Sequence, residues 1–436
     1  MMGYFEEFFN YLASLTIDQF IRIFWFFLVF ELVRFFLLDL GVLIIWKLQH
    51  VTRKKRYLLA RKMLWAERPL VSIVVPGRNE GEHIFKLANS LKEQTYTNYE
   101  FIVVDDGSND QTRVICNNLK KNGLITLFIS NDVRGGKASA ANLGLRYSKG
   151  KFIIHIDADC SYDRDAVENI IVPFYLDDKL GAVGGDVQVR NYDESLCTTL
   201  QAIEYIDTIS IGRISQSQLG IYRIISGAFG AFRKEALDRV GGWDIGPGLD
   251  GDITVKIRKL GYNIHFEPTA VCQTNVPTTF KALTKQRLRW DKSVVRFRLR
   301  KHNDVFFPDK SFRWLNFISF IENITYNIVL NFKWYFYLID IVWHFASRVL
   351  FILPVNYVLY TFYNFFKFVV FSIFRERKSV RDEYFLPFMP LMALYYGYYL
   401  RLVRTYAYLQ EIFLKRSYED DWNPAKTSVY AKHMKL

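Results

Sequence analysis

The chain has 436 residues, half of them hydrophobic and 17% aromatic, and a formal charge of +13. That is too apolar for an ordinary soluble domain, and the charge does not mark a nucleic-acid partner, because the basic residues cluster beside the apolar stretches. The four cysteines, Cys116, Cys160, Cys197 and Cys272, are scattered with no C-x-x-C spacing, which excludes a zinc site and a disulfide framework and leaves reduced, buried thiols.

The apolar excess sits in roughly the first 50 residues and the last 120, around a normally mixed middle. This is the pattern of a membrane protein with a folded domain between its spans. Residues 4–15 read as an amphipathic segment on the membrane surface, and residues 20–48 as one apolar stretch long enough for a tilted span. The stretch lacks a small-residue cleavage site and carries Glu31, Arg34 and Asp39, so it is not a cleaved signal peptide. Arg53, Lys54, Lys55, Arg56, Arg61 and Lys62 follow it, which places the middle domain in the cytoplasm.

From about residue 68 strands and helices alternate. Residues 71–76 form a strand, 82–94 a helix, 101–108 a strand ending in two aspartates and a glycine, 111–121 a helix and 124–130 a strand. A turn, Arg134-Gly135-Gly136-Lys137, leads into a helix through Tyr147, and residues 151–163 then run from a buried strand into two carboxylates. This β-α-β-α-β order predicts a parallel sheet covered on both faces, with the aspartates of two strands along one edge. Beyond it, residues 181–191 read as a strand with a bend, 195–218 as a helix, and 224–237 as a strand and turn lining a cleft. Residues 241–254 are a Gly-rich loop entering a helix that ends near Leu260, and 263–268 a last strand.

Residues 281–301 are strongly basic with interleaved apolar positions, an amphipathic helix at the cytoplasmic interface. Residues 314–345, 349–373 and 386–414 are apolar enough for the membrane, with a basic cytoplasmic turn at 375–383. The basic tail from Lys415 argues for a cytoplasmic end, whereas three spans would place it outside, which leaves open that the last segment lies in the interface. Polar residues form stripes in these segments: Asp340, His344 and Arg348; Asn323, Asn327 and Asn331; Arg401, Arg404, Tyr408 and Glu411. Such stripes serve as helix–helix glue, as a polar conduit, or as both.

Several groups converge on the predicted cleft. Asp157 and Asp159 end a strand one residue apart, placed for Mg²⁺ or Mn²⁺ shared with substrate phosphates. By itself a D-x-D is a weak signal, since a strand running into an acidic turn looks the same. Pro76 to Glu80 (PGRNE), with Asn79 among them, and Asp105 with Asp106 are placed to hold the base and ribose of a nucleotide, or simply to terminate strands. Lys137 opens a helix where a phosphate is welcome, without P-loop spacing. Asp250 suits a general base for an incoming hydroxyl, with Asp252 the better-placed helix cap. Arg289 is placed to pair with phosphate, and Trp290 offers a face for a sugar, unless both belong only to a basic interfacial helix.

The ordered set PxxNE, DDGS, D-x-D, GxDxD and QxxRW, flanked by spans, resembles the processive family-2 glycosyltransferases, the membrane synthases of hyaluronan, chitin oligosaccharides, poly-N-acetylglucosamine and cellulose. The likeness runs from about Val71 to Arg296. GGDVQVRN, ISGAFGAFRKEAL and RWDKS look most like the hyaluronan and chitin-oligosaccharide branch. One departure is Leu249, where the family usually has an acidic residue before the Asp. The resemblance implies an α/β fold, a GT-A cytoplasmic domain with a mostly parallel, Rossmann-like sheet inserted between transmembrane helices. It implies a membrane-embedded, inverting, metal-dependent synthase that polymerises sugar from a UDP-sugar donor onto a growing polysaccharide and exports it through its own spans. The alternative is transfer of one sugar to a lipid carrier.

By residue, the resemblance and the motifs together assign catalysis to Asp250 and donor binding to Pro76, Asn79, Glu80, Asp105, Asp106, Lys137, Asp157, Asp186, Gln286 and Arg289. They assign acceptor binding to Ser226, Gly227 and Trp290, the metal (Mg²⁺ or Mn²⁺) to Asp157 and Asp159, and a channel to Asp340, His344, Arg348, Arg401 and Arg404. The expected division is 1–66 for the amphipathic segment and first span, 67–275 for the catalytic domain, 276–312 for the interface helix, 313–415 for the later spans and 416–436 for the tail. The expected setting is the cell membrane, multi-pass, with the lipid bilayer as partner, no nucleic acid, and oligomers or accessory export subunits left open.

Overall fold

The protein is seen in a computed structural model that describes residues 2–246, 248–308, 312–378, 380–419 and 423–434. Pro247, inside the predicted Gly-rich loop, lies outside the described residues, as do short pieces of the basic turn and the tail.

One eight-stranded sheet organises the catalytic domain: β1 (Val71–Gly77), β2 (Tyr99–Asp105), β3 (Leu127–Ser130), β4 (Phe152–Ile156), β5 (Ser161–Tyr162), β6 (Leu180–Val189), β7 (Phe229–Arg233) and β8 (Asn263–Thr274), in the order β3-β2-β1-β4-β7-β6-β8-β5. The apolar runs of β1, β2 and β4 are buried on both faces, as parallel strands under helices require. β1 pairs in parallel with β2 and β4, and β2 with β3. Antiparallel β7 then joins β4 and β6, with Phe229 opposite Ile156. The residues just before β7 therefore stand beside the carboxyl end of β4. The bend expected in residues 181–191 is a register shift against β8 between Gly185 and Asp186.

The helix Lys137–Tyr147 lies directly on the sheet. A Cβ at Gly144 would come within 2.4 Å of Val74 Cγ1, in a contact that cannot open without moving β1. Gly144→Ala is therefore expected to destabilise the domain by about 1–3 kcal/mol, read as a lowered melting temperature, despite alanine's better helix propensity.

The expected apolar segments are helical. Residues 17–48 form a continuous run (Ile17–Phe26, Phe27–Leu38, Asp39–Leu48), and so do residues 314–344 (Trp314–Asn323, Ile324–Val329, Leu330–His344). Ile23, Phe24 and Phe26 of the first pack with Trp334, Tyr337 and Ile341 of the second and Ile352 of the next helix. Charges inside this bundle are paired. Arg34 contacts Asp39 at 3.0 Å and Glu322 at 2.5 Å, and Glu322 also holds Arg223 of the catalytic domain at 2.6 Å. Among the described residues one helix, Ala346–Ser372, is long and apolar enough by length and composition to cross a membrane.

The last apolar segment packs against the catalytic domain. Its helical run, Met389–Leu394, Tyr395–Tyr399 and Leu400–Leu414, ends beside the catalytic domain. Tyr399 Oη donates to Phe280 O at 3.0 Å, Arg404 meets Asp291 at 3.5 Å, and Glu411 is paired with Arg300, all on the helical run 280–301. Thr427 Oγ1 then donates to Gly135 O at 3.3 Å, so the tail rests on the catalytic domain. The basic turn reaches the same domain through Arg377 to Asp163 and Asp165. The contacts of Tyr399, Arg404 and Glu411 tie the last segment to the helical run 280–301.

Candidate active site

Parallel pairing sets the carboxyl ends of β1, β2 and β4 along one edge, and the sheet geometry brings Asp105 level with Gly77. Asp157 leaves β4 there and accepts from Lys137 Nζ at 2.5 Å. Lys137 is the first residue of its helix, and Gly136, at φ +93°, makes the turn that delivers it. Burial, then Asp157, pushes the Asp159 carboxyl up. Burial also raises Glu80, with Asp159 and Asp157 contributing. Three carboxylates thus crowd one sheet edge, and one ammonium stands where a cation is called for. The donor set fits a hard divalent ion held by one or two carboxylates and completed by substrate phosphates. Among the described residues no group of three His, Cys, Asp or Glu side chains is arranged to hold a metal by itself.

Asp250 lies in the first turn of the helix Leu249–Lys259. Its Oδ2 accepts from Gly227 N at 2.9 Å. Burial raises its carboxyl above the ordinary range, opposed by Lys137 and the Gly227 amide. A Cβ at residue 227 would sit 2.6 Å from Asp250 Oδ1, so only glycine permits this approach. Asp252 is not the cap. The cap position is Gly248, and Asp252 instead accepts from His302 Nε2 at 2.7 Å and pairs with Lys301 at 2.9 Å. Those partners outweigh burial and hold its carboxyl well below the usual range. Asp250 and Asp252 thus face different neighbours.

His155, which sequence reasoning passed over, completes the frame. It sits in β4, and its Nδ1 donates to Gly227 O at 3.0 Å. Burial, aided by Lys137, lowers its pKa to about 4, so the ring is neutral and the donor role is open to it. The Asp250-binding loop is thereby tied to the strand that carries Asp157.

The other sequence-assigned residues divide. Asp105 accepts from Ser108 N at 2.9 Å, Ser130 Oγ at 2.8 Å and Arg113 Nε at 3.1 Å. Asp106 accepts from Gly135 N at 2.7 Å and Gly136 N at 2.8 Å. Both carboxylates therefore shape the loops around Lys137. Pro76 lies one residue from the end of β1, opposite Val104, Asn79 Oδ1 accepts from Asn109 N at 3.1 Å, and Glu80 meets His83 Nδ1 at 2.5 Å. Asp186 is buried, accepting from Ser210 Oγ and Gln188 Nε2, each at 2.7 Å. Ser226 immediately precedes Gly227, half-buried.

On the interface helix, Phe280–Val295, Trp290 is 38% exposed and Gln286 Oε1 is buried without a hydrogen-bond partner. Arg289 is half-buried. Arg287 makes a buried ion pair, holding Glu204 at 2.9 Å, and lies 4.5 Å from the Trp290 ring centroid. Asp340 and His344 face Arg22 at 3.2 and 2.9 Å, and Arg348 lies 5.5 Å from the Tyr11 ring centroid. Those three fasten the bundle's N-terminal helices and do not line its cavity. Arg401 and Arg404 do line a cavity, of about 320 Å³, with Glu31 and Lys367.

The profile described as Glycosyl transferase family 2 matches residues 72–241, the stretch that builds this edge. Residues 72–241 form a family-2 glycosyltransferase domain. The poly-beta-1,6-N-acetyl-D-glucosamine synthase of Staphylococcus aureus (strain COL) is 34% identical over 279 residues, covering 63% of this chain and 66% of the relative. The synthase of the same name from Staphylococcus epidermidis is 37% identical over 222 residues, 50% of this chain and 53% of the relative. The chain thus spans somewhat under two thirds and about half of these relatives. A mannosyltransferase from Pyrobaculum calidifontis, solved with GDP-mannose and Mn²⁺, superposes with TM-score 0.55 at 21% identity, over 86% of this chain and 99% of that one. It shares the fold, a GT-A-like mixed α/β sheet.

Proposed function

We propose that the protein is a membrane-embedded, inverting, processive glycosyltransferase that draws sugar from a UDP-sugar and extends a polysaccharide. The observation that carries the reading is the Asp250 carboxylate, half-buried and fixed by the Gly227 amide beside the Lys137–Asp157 pair. Asp250 takes the proton of the acceptor hydroxyl as that oxygen bonds to the sugar C1, and the bond from C1 to the diphosphate breaks. Attack opposite an α-linked diphosphate leaves a β-linkage, in keeping with the relatives' names. Lys137 and Arg289 stabilise the leaving diphosphate, and Trp290 and the Ser226-Gly227 turn hold the acceptor end. A divalent ion bound by Asp157 and Asp159 with the donor supplies charge neutralisation at the leaving group.

The relatives favour N-acetylglucosamine as the unit. The sequence likeness to the hyaluronan and chitin branch remains the second reading of substrate, distinguished by a need for two donors if hyaluronan-like and by a periodate-resistant product if chitin-like. The cavity at Arg401 and Arg404 favours a polymer passing through the bundle over one-sugar transfer to a lipid carrier. The helices of residues 17–48, 314–344 and 349–372 then lie in the cell membrane, between the domains bounded as in the sequence reading, with the catalytic domain cytoplasmic. Chelation is expected to abolish UDP release and Mg²⁺ or Mn²⁺ to restore it, with Asp157→Ala and Asp159→Ala each reducing turnover by about 10²-fold or more. Full activity in chelator would overturn the metal role.

A further inference from the structure

A cavity of about 850 Å³ lies away from the catalytic edge. It lies at the amino ends of β6 and β8, between the helix His50–Glu67 and the start of the helix Trp314–Asn323. Four arginines line it, Arg53, Arg56, Arg258 and Arg313, against one carboxylate, Asp177. Asp177 is already engaged, accepting from Asn263 Nδ2 at 2.7 Å and Lys179 N at 2.9 Å.

The arginines do different things. Arg258 is spent on the frame, donating to Asn316 Oδ1 at 2.7 Å, Tyr222 O at 2.7 Å and Gly220 O at 2.9 Å. Arg53 pairs with Glu376 at 3.3 Å. Arg56 and Arg313 are exposed, and among the described residues no carboxylate pairs with either. Gly261 makes room for Arg313: a Cβ there would lie 2.2 Å from Nη2. The helix that begins at Trp314 has no side-chain cap, so its first amides add to the positive potential.

The position of the cavity fits a ligand that arrives from a membrane. Gln49 and Thr52, just after the apolar run that ends at Leu48, line one wall, and Trp314 and Leu315, which open the next apolar run, line another. Leu48 is 78% and Trp314 69% exposed. Basic pockets at the cytoplasmic ends of membrane helices suit phosphate-bearing headgroups, and guanidinium forks match phosphate oxygens.

We propose that this cavity holds the phosphate headgroup of an anionic phospholipid, with Arg56 and Arg313 as its two cationic contacts. The inference rests on the membrane placement proposed above. The test uses the full chain in nanodiscs of phosphatidylcholine with a minor share of phosphatidylglycerol, and native mass spectrometry of the lipid it retains. The wild type is expected to retain phosphatidylglycerol selectively, and Arg56→Ala with Arg313→Ala to lower that retention by about tenfold or more. The paired Lys variants keep charge without the fork and are expected to fall between. Unchanged melting temperature and sugar turnover in phosphatidylcholine show that the variants fold.

Equal retention by wild type and the double Ala variant would overturn the site. Displacement of the lipid by millimolar inorganic phosphate would make free phosphate the occupant and overturn the lipid source. Carbonate extraction reads the membrane placement separately. A carbonate-resistant chain without lipid selectivity refutes the site alone, and a carbonate-soluble chain that still selects phosphatidylglycerol refutes the placement alone.

Discussion

Asp250→Asn is expected to reduce sugar transfer by about 10²–10⁴-fold while donor binding survives. The amide keeps the size of the side chain and an oxygen for the Gly227 N–H, 2.9 Å away in the wild type, but cannot take a proton. Uridine diphosphate binding, read by calorimetry, should be within a factor of a few of wild type, because Asp250 is not among the groups at the β1 and β2 ends. Stability supplies an independent sign. Burial raises the Asp250 carboxyl above its unfolded value, so the folded chain holds its proton to higher pH than the unfolded chain does. Ionisation at neutral pH is therefore a net cost to folding, and Asp250→Asn should leave the melting temperature unchanged or raise it. The same shift places the acid limb of the activity profile at higher pH than an ordinary Asp would give, with activity lost as pH falls through the raised value. A variant that polymerises at the normal rate would remove Asp250 from its role.

Gly227→Ala is the second large expected effect, and it works through position alone. Residue 227 does not have positive φ, so the penalty is contact and not backbone strain. The new methyl would lie 2.6 Å from Asp250 Oδ1 and 3.1 Å from its Cγ, and the loop cannot swing away freely because His155 holds Gly227 O at 3.0 Å. Displacing a general base by about 1 Å costs on the order of 10²-fold in rate. The loss should fall on kcat with the donor KM nearly unchanged, alongside about 1–3 kcal/mol of stability. An equal rise in KM would mean that the loop binds donor and does not merely position Asp250.

Much of the catalytic edge was legible because it follows from local pattern. Period and apolar runs gave β1, β2 and β4, parallel connection put their carboxyl ends together, and Asp157, Asp159 and Lys137 followed. Spacing does not show where a side chain finds its partner. Asp105 and Asp106 carry the motif's signature, yet each is bonded to neighbouring loops, and Asp186 is buried against Ser210. Asp252 reads as a cap until His302, 50 residues later, takes it. The stripe of Asp340 and His344 matches a conduit as well as glue by periodicity, and its contact with Arg22, 318 and 322 residues away, has no local signal. The return of the tail to Gly135, across 292 residues, had no local signal at all. What the sequence withholds is long-range pairing, whose partners are fixed by the fold and not by neighbours in the chain.

The most direct measurement offers the purified, nanodisc-held protein each UDP-sugar, singly and in pairs, with Mg²⁺ or Mn²⁺, and sizes the product. The expected result is a long, metal-dependent polymer from UDP-N-acetylglucosamine alone. Periodate should cleave it, since a 1,6 linkage leaves the 3- and 4-hydroxyls adjacent. UDP release with only a single sugar on a lipid would contradict polymerisation, and a polymer made only when two donors are present would contradict the single-sugar reading.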